Sequence, residues 1–303
     1  MGILVLGHTG FLGSAVYKRL ITKGHSVYGA SKSTGTDLRE PDSLKEILNS
    51  GRYKVIINCA AHVGGIEYGR KNPVALYRDN LLMNLNILSA ASESKAKLIN
   101  PISNCAYPRD LDIFSEDKFW DGELDESVLV YGGIRKLGWI GAWAYRQELG
   151  LNSTNLIFPN LFGPNDHLDP VRAHALGALV FRFLEAKKLG IPTVVVWGSG
   201  SPIREWLYVE DAVDAIVLAI DNDTNCAPMN IGSGTGITIK ELAERISTAI
   251  GYEGTIVYDK SKQDGAPKKI MDARKGSEEL GWEPKTSFEL GLLETIRSYQ
   301  ERM

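Results

Sequence analysis

The stretch ILVLGHTGFLG, residues 3–13, decides the fold expected for this chain. Its first four residues are an apolar run, which is typical of a strand buried on both faces of a parallel sheet. Gly7, Gly10 and Gly13 follow, where this strand ends and a helix is predicted to begin. The first glycine allows a tight turn, the second lets the backbone approach a pyrophosphate, and the third lets the helix pack closely on the sheet. Because the helix N-terminus then presents amide groups to the phosphates, the segment predicts a dinucleotide-binding βαβ unit.

Strand-like and helix-like stretches alternate through the rest of the first half. Apolar runs predict strands at 3–6, 25–30, 54–59, 96–102 and 153–158. Helical spacing of apolar residues predicts helices at 11–23, 43–49, 74–93 and 137–148. The second half is less regular, with helices predicted at 173–188, 209–221, 239–250 and 288–302 and strands at 193–197 and 229–231. The alternation favours right-handed βαβ crossovers in a parallel sheet.

We therefore predict an α/β fold with two parts: a Rossmann-type doubly wound parallel sheet, and a smaller, discontinuous α/β C-terminal lobe for the substrate. The dinucleotide-binding domain is assigned to residues 1–163 together with about 205–228. The second lobe takes about 164–204 together with 229–303. The cleft between the two parts is the expected site.

Composition excludes several classes of protein. The 303 residues are 44% hydrophobic and 23% charged, as in ordinary globular proteins. A formal net charge of -3 argues against a nucleic-acid partner. Three cysteines are too few for a disulfide framework and favour a reducing compartment. With no signal-peptide pattern and no apolar stretch long enough to span a membrane, we expect a cytoplasmic protein with no membrane partner. No metal site is apparent.

The end of the second predicted strand bears on the choice between NAD and NADP. Chains that bind NAD usually place Asp or Glu there, to hold the ribose 2′-hydroxyl. Here Ser31 and Lys32 stand in that region instead, and a hydroxyl with a cation suits a 2′-phosphate. The sequence therefore favours NADP(H), although Asp37 lies just beyond and leaves NAD open.

Candidate acid–base residues follow the fourth strand and begin a later helix. Ser103 and Cys105 come directly after the strand at 96–102, at the edge where α/β proteins build their sites. Tyr131 is expected at the head of a helix, with Arg135 four residues later on the same face. A nearby cation lowers the pKa of a phenol toward working pH, which a proton donor to a carbonyl needs.

Longer stretches resemble the extended short-chain dehydrogenase/reductase superfamily, and within it the GDP-L-fucose synthase family. They are GHTGFLGSA (7–15), AAHVGGI (60–66), DNLLMNLNIL (79–88), SNCAYP (103–108), FPNLFGPND (158–166), VWGSGSPIREWLYVED (196–211) and DGAPKKIMD (264–272). The resemblance covers nearly the whole chain. It implies an NADP(H)-dependent 3,5-epimerase/4-reductase of a GDP-4-keto-6-deoxy sugar, working as a homodimer through a helix-on-helix interface.

The resemblance also implies roles for single residues. Ser103 and Tyr131 would hold the C4 carbonyl and pass it a proton. Cys105 would serve as base and His174 as acid at the carbons that flank the ketone. This chemistry is sensible because protons next to a ketone are acidic when donors stabilise the enolate oxygen. One oxyanion site would therefore serve both epimerisation and reduction.

Further residues are implied around the two ligands. Those around the substrate nucleotide and diphosphate are Arg182, Arg204 and Lys269. Trp197 would lie at the substrate cleft or pack between the lobes. Besides the glycines, Ser31 and Lys32, the residues around the cofactor are Phe11, Leu12, Ala60 and Asn160.

The chain departs from the family motif Tyr-x-x-x-Lys. Arg135 holds the lysine position, and Lys136 is rotated about 100° further round the helix. Either residue could fill the lysine's role, and reduction could be slowed, altered in cofactor preference or lost. Tyr208 and Glu210 stand where His and Asp are usual, which we expect to affect sheet packing. The alternatives are a 4-ketoreductase or epimerase on another nucleotide sugar (a GDP-heptose or a dideoxy sugar) and a non-catalytic dinucleotide-binding protein.

Overall fold

The computed structural model describes residues 2–50, 53–169, 173–262 and 264–303. Its larger sheet has six parallel strands in the order β2-β1-β3-β4-β5-β9. These strands are β1 (Gly2–Leu6), β2 (Ser26–Ala30), β3 (Tyr53–Asn58), β4 (Lys97–Ser103), β5 (Ser153–Phe158) and β9 (Pro228–Asn230). The expected α/β fold with a doubly wound parallel sheet is thus confirmed. Since β2 and β3 flank β1, the strand order reverses at β1, and ligands bind such sheets at that point.

Helices cover both faces of this sheet. They are α1 (Phe11–Thr22), α2 (Pro41–Ser50), α3 (Ile66–Lys71), α4 (Pro73–Glu93), α5 (Leu129–Leu149), α7 (Val209–Leu218) and α9 (Arg274–Leu280). Ile3 and Val5 of β1 pack into a core with α1 and α7, whereas Leu4 and Leu6 face α2, α4 and α5. Because both faces of β1 are covered, the strand reads as a continuous apolar run.

The smaller lobe has its own core and two short sheets. Its elements are β6 (Asn160–Phe162), α6 (Ala175–Leu189), β7 (Thr193–Trp197), β8 (Ile203–Tyr208), β10 (Gly236–Thr238), α8 (Ile239–Ile250), β11 (Thr255–Asp259), β12 (Lys268–Lys269) and α10 (Phe288–Arg302). Strand β8 lies between β10 and β12 and also pairs with β6, while β7 pairs with β11. Along the described chain, no helix combines the length and the apolar character needed to cross a bilayer.

Sheet membership differs from the proposed domain boundaries at three places. Residues 228–230 extend the large sheet, whereas the sequence predicts residues 229 and 230 in the second lobe. Strand β6 and residues 205–208 of β8 lie in the small sheet, although they had been assigned to the dinucleotide-binding domain. Trp282, beyond α9, packs into the core of the large sheet. The chain therefore crosses between the two parts more often than the sequence indicated.

Helix α5 was predicted at 137–148 and begins eight residues earlier, at Leu129. Gly132 and Gly133 weaken the helical signal of its first turns. The structure gives a reason for one of them, because a Cβ at Gly132 would overlap the carbonyl oxygen of Cys105. Glycine there lets the helix pack directly on the turn that carries Cys105, and this packing outweighs the low propensity. The predicted helix 209–221 also ends earlier, at Leu218.

We expect Lys97→Met to lower the free energy of unfolding by about 1–3 kcal/mol. The ammonium group of Lys97 donates hydrogen bonds to the carbonyl oxygens of Ala219 (2.6 Å) and Ile220 (3.2 Å) and to that of Asn222, just beyond α7. Methionine keeps the packing but leaves these carbonyls without their donor. Urea unfolding measures the change. Lys18→Met on the exposed face of α1 is the control and should stay within about 0.5 kcal/mol of the parent; equal losses in the two variants would refute the assignment.

Candidate functional site

The glycine turn after β1 forms a cradle that other residues would fill. Gly7 has a positive φ of 76°, and a Cβ there would come within 2.8 Å of the Ala60 backbone. A Cβ at Gly13 would overlap the carbonyl oxygen of Gly7. Gly10 is the N-cap of α1 and has no side chain to bond the first amides of the helix, which begin with those of Phe11 and Leu12. The geometry fits a pyrophosphate held by backbone amides and the helix dipole.

The residues at the end of β2 divide into structural and exposed ones. Ser31 is buried, and its hydroxyl bonds with His8 Nδ1 (3.0 Å) and accepts from the Thr9 amide (3.2 Å), so it braces the glycine turn. Lys32 is 72% exposed at its side chain and lies 3.8 Å from Asp37. Lys32 is therefore available to a phosphate at this end of the site.

Arg39, to which the sequence analysis assigned no role, donates hydrogen bonds to the neighbouring carboxylate of Asp37. Hydrogen bonding to Arg39 lowers the pKa of Asp37 to about 2, although burial opposes this. Arg39 also bonds Asp79 of α4 at 3.2 Å. Asp79 in turn holds His62 Nδ1 at 3.0 Å, in the loop after β3. Asp37 is thus engaged by a cation of the chain itself. The only sequence signal for Arg39 was its place two residues after an acidic residue.

Arg135 is the cation beside Tyr131. Its Nη2 donates to the Tyr131 hydroxyl at 3.1 Å, and its guanidinium carbon lies 4.7 Å from the centre of the phenol ring. Arg135 is 8% exposed, and its Nε has no hydrogen-bond partner among the described residues. Its i,i+4 spacing on α5 produces this contact.

Lys136 faces elsewhere. Its ammonium group donates to the carbonyl oxygen of Phe119 and lies 4.5 Å from the ring of Trp120 and 4.8 Å from that of Phe119. Burial lowers the pKa of Lys136. Of the two cations that the sequence left open, the structure thus puts Arg135, and not Lys136, next to Tyr131.

Ser103 and Cys105 lie at the carboxyl edge of the sheet, where β4 ends. The Ser103 hydroxyl accepts from the Cys105 amide at 3.2 Å, which caps a single 3-10 turn. The Cys105 thiol is half-buried and lies 3.9 Å from Lys269 Nζ. Arg204 is close enough to Cys105 for an electrostatic interaction, while burial lowers the pKa of Arg204. The thiol is therefore in an electropositive setting.

His174 lies at the N-terminus of α6, not within the helix as the sequence predicted, and it faces a buried carboxylate. Its Nδ1 is 3.2 Å from both carboxylate oxygens of Asp166, whose side chain is 2% exposed. Desolvation disfavours the charged imidazole, but the hydrogen bond and charge of Asp166 outweigh it and raise the pKa of His174. The pKa of Asp166 is lowered, since its bonds to His174 outweigh its burial.

Asp166 was not singled out from the sequence, although it closes the FPNLFGPND stretch eight residues before His174. The ring of His174 also lies 5.8 Å from that of Phe11, beside the glycine turn. His174 thus lies next to the cradle. No contact that the structure describes joins His174 directly to Cys105.

Arg182 and Trp197 form a cationic and aromatic surface, in which Arg182 is half-buried and Trp197 is exposed. The Arg182 guanidinium lies 5.0 Å from the centre of the Trp197 ring, and Lys262 approaches the same ring at 5.5 Å. Trp197 is 50% exposed, so part of its ring is free to stack on a base. Asn160 instead has a sheet contact, since its Nδ2 donates to the Glu205 carbonyl oxygen at 3.0 Å.

The parallel sheet, the glycine cradle and the tyrosine–cation pair define a dinucleotide-binding oxidoreductase or epimerase. Residues 3–232 match the NAD dependent epimerase/dehydratase family, and the chain belongs to that family.

Individual relatives are more specific. The chain is 34% identical over 304 residues to a probable GDP-L-fucose synthase 1 of Oryza sativa subsp. japonica, covering 99% of this chain and 92% of that protein. It is 33% identical over 304 residues to a GDP-L-colitose synthase of Yersinia pseudotuberculosis, covering 99% and 98%. A crystal structure of a GDP-L-fucose synthetase from Naegleria fowleri bound to NADP superposes with a TM-score of 0.89 at 27% identity, covering 99% of this chain and 94% of that chain.

Proposed function

We propose that this chain is an NADP(H)-dependent 3,5-epimerase/4-reductase of a GDP-4-keto-6-deoxy sugar. One observation carries the proposal: the groups needed for reduction and for proton transfer lie along the same edge of the sheet. The pair for reduction is Tyr131 with Arg135. The groups for proton transfer are Cys105 beside Lys269 and His174 beside Asp166. The similarity to GDP-L-fucose synthases supports the substrate class.

The donors for the ketone remain available in this arrangement. Because Arg135 donates to the Tyr131 oxygen, the hydroxyl proton of Tyr131 is free for a substrate carbonyl. The Ser103 oxygen accepts from the Cys105 amide, so the Ser103 proton is free as well. Two donors can thus stabilise an oxyanion at C4. NADPH, held at the cradle, supplies the hydride when it is bound.

Epimerisation uses the same oxyanion site. Cys105 removes the proton next to the ketone, while Ser103 and Tyr131 stabilise the enolate that forms. His174 returns a proton to the carbon, and Asp166 favours the charged imidazole that this role needs, because it raises the pKa of His174. Arg204 and the surface of Arg182 and Trp197 serve the nucleotide part of the substrate.

Lys32 is expected to select the phosphorylated cofactor. We predict that Lys32→Ala raises the KM for NADPH roughly tenfold and leaves the KM for NADH unchanged, because only NADPH carries the 2′-phosphate. Steady-state kinetics with the two cofactors measures the ratio. Lys45→Ala, an exposed lysine on α2, is the matched control. Equal losses with NADPH and NADH would contradict the role given to Lys32.

We further propose that the protein is a homodimer. Helices α4 and α5 pack against each other and leave apolar side chains exposed; these are Leu82, Leu85, Leu137, Ile140 and Trp143. An apolar face of this extent supports burial against a second copy. Light scattering on the parent and on Trp143→Glu tests it, with a monomeric parent as the contrary result. A cytoplasmic location is likewise proposed, supported by three free cysteines.

The test of the function is an incubation in D₂O with GDP-4-keto-6-deoxymannose and NADPH. NADPH loss together with deuterium at C3 and C5 is the expected result. Deuterium without NADPH loss would mean that Arg135 has disabled reduction, and NADPH loss without deuterium would indicate a plain 4-ketoreductase. The absence of both signals would contradict the proposed substrate. Other nucleotide sugars, including a dideoxy sugar, would then be tested, and a lack of turnover with all of them would indicate a non-catalytic protein.

A further inference from the structure

The ammonium group of Lys269 lies within hydrogen-bond distance of the thiol of Cys105. Its Nζ donates toward Cys105 Sγ at 3.9 Å, and both side chains are half-buried. A thiolate, and not a thiol, removes a proton from carbon. An adjacent cation favours the thiolate because it stabilises the negative charge, and more strongly where water is partly excluded.

The backbone fixes Lys269 in this place. Strand β12 pairs in parallel with β8, in a register that sets Lys269 beside Arg204 and Lys268 beside Ile203. Residues paired in this way share a face, and successive residues alternate between faces. The charges of Lys269 and Arg204 are therefore presented together toward Cys105, whereas Lys268 lies on the opposite face.

Asp125 opposes these charges. It begins the 3-10 turn before α5, and its carboxylate accepts a hydrogen bond from the Ser127 amide at 2.9 Å. Burial alone would raise the pKa of Asp125, but its bonds to Ser127 and the charges of Lys269 and Arg204 lower it. Asp125 is thus ionised beside the two cations, and Asp264 also interacts with Arg204. The charged and polar groups described around Cys105 are thus the Ser103 hydroxyl, Lys269 and Arg204, with Asp125 and Asp264 interacting with those cations.

We propose that Lys269 is a positioning residue that holds Cys105 as the thiolate, and that Asp125 limits this effect by sharing the charge of Lys269. The proposal deepens the proposed function and rests on it for the role of the thiolate as base. It reassigns Lys269, which the family resemblance placed at the diphosphate or the nucleotide of the substrate. Arg204, Arg182 and Trp197 remain for the nucleotide.

Alkylation of the free protein by iodoacetamide near neutral pH tests the electrostatic part without sugar or cofactor. Cys105→Ser gives the background rate, which should be low because burial raises the pKa of the Cys59 thiol to about 12 and Cys226 is buried. Lys269→Met is expected to slow alkylation of Cys105 roughly three- to tenfold, and Lys269→Arg to restore most of the rate. Lys268→Met is the matched control and should react like the parent.

Asp125→Asn should change the rate in the opposite direction, because it frees the charge of Lys269. With substrate, Lys269→Met should lower kcat for deuterium exchange at C3 and C5 more than it raises KM. The proposal would be overturned if Lys269→Met were alkylated as fast as the parent while its KM for the GDP-sugar rose tenfold. Lys269 would then bind the substrate diphosphate or nucleotide, as the family resemblance implies. Since alkylation needs no substrate, its outcome stands apart from whether the sugar is correct.

Discussion

Tyr131→Phe is expected to lower the rate of ketone reduction by about 10²–10⁴-fold, while deuterium exchange at C3 and C5 continues at a reduced rate. The phenol provides the proton that the C4 oxygen takes up as the hydride arrives. Phenylalanine fills the same volume, so the loss comes from the hydroxyl alone. Ser103 still donates to the oxyanion, which is why enolisation continues. Single-turnover NADPH oxidation and product NMR separate the two steps.

Tyr107→Phe is the control for this prediction. The Tyr107 hydroxyl donates to Asn230 Oδ1 at 2.8 Å in a buried network, so its loss should cost stability and leave the reduction step intact. The pKa of Tyr107 is raised by burial, which keeps this phenol neutral. If Tyr131→Phe reduced the ketone as fast as the parent, Tyr131 would not be the proton donor. Arg135→Lys should retain part of the activity, because a cation still reaches the phenol.

Asp166→Asn is expected to lower proton exchange at C3 and C5 by about 10²-fold and to move the alkaline limb of its pH profile to lower pH. Asp166 raises the pKa of His174 against the desolvation that lowers it. The acid form of His174 exists below its pKa. When the negative charge is removed, that pKa falls, so the acid form is lost at a lower pH than in the parent.

The exchange rate measured across pH, with melting temperature recorded at each pH, separates this effect from unfolding. Glu185→Gln on the exposed face of α6 is the matched control and should leave the profile in place. An alkaline limb that stays where it is in Asp166→Asn would show that His174 does not titrate in this step. His174→Gln should lose the limb altogether.

Local signals predicted the central part of the fold. The glycine turn, the buried strand β1 and the tyrosine four residues before Arg135 each depend on neighbours in the chain, so spacing alone indicated them. The short strands β8 and β12 escaped prediction, because their pairing joins residues that are distant in sequence. Tyr131 was expected at the head of a helix, but apolar spacing alone began α5 at residue 137, because Gly132, which packing on Cys105 requires, weakens the helical signal.

Partners of the candidate residues could be predicted less well than the residues themselves. The interaction of Asp125 with Lys269 and Arg204 joins residues that are distant in sequence, and nothing next to Asp166 marks its carboxylate as buried against His174. The choice between Arg135 and Lys136 needed the aromatic surroundings of Lys136, which Phe119 and Trp120 in the segment before α5 supply. The sequence offered both cations for the role, and the contacts of Arg135 with Tyr131 and of Lys136 with Phe119 distinguish them.

The return of β9 to the large sheet has a consequence for synthesis. All six residues of β5 are buried, and β9 covers one edge of this strand. While the ribosome has made β5 but not yet released residues 228–230, that edge has free backbone groups and apolar neighbours. A nascent or truncated chain that ends before β9 is therefore expected to aggregate through the unpaired edge of β5. Chaperones would keep such a chain apart from others until β9 has been synthesised and has paired with β5.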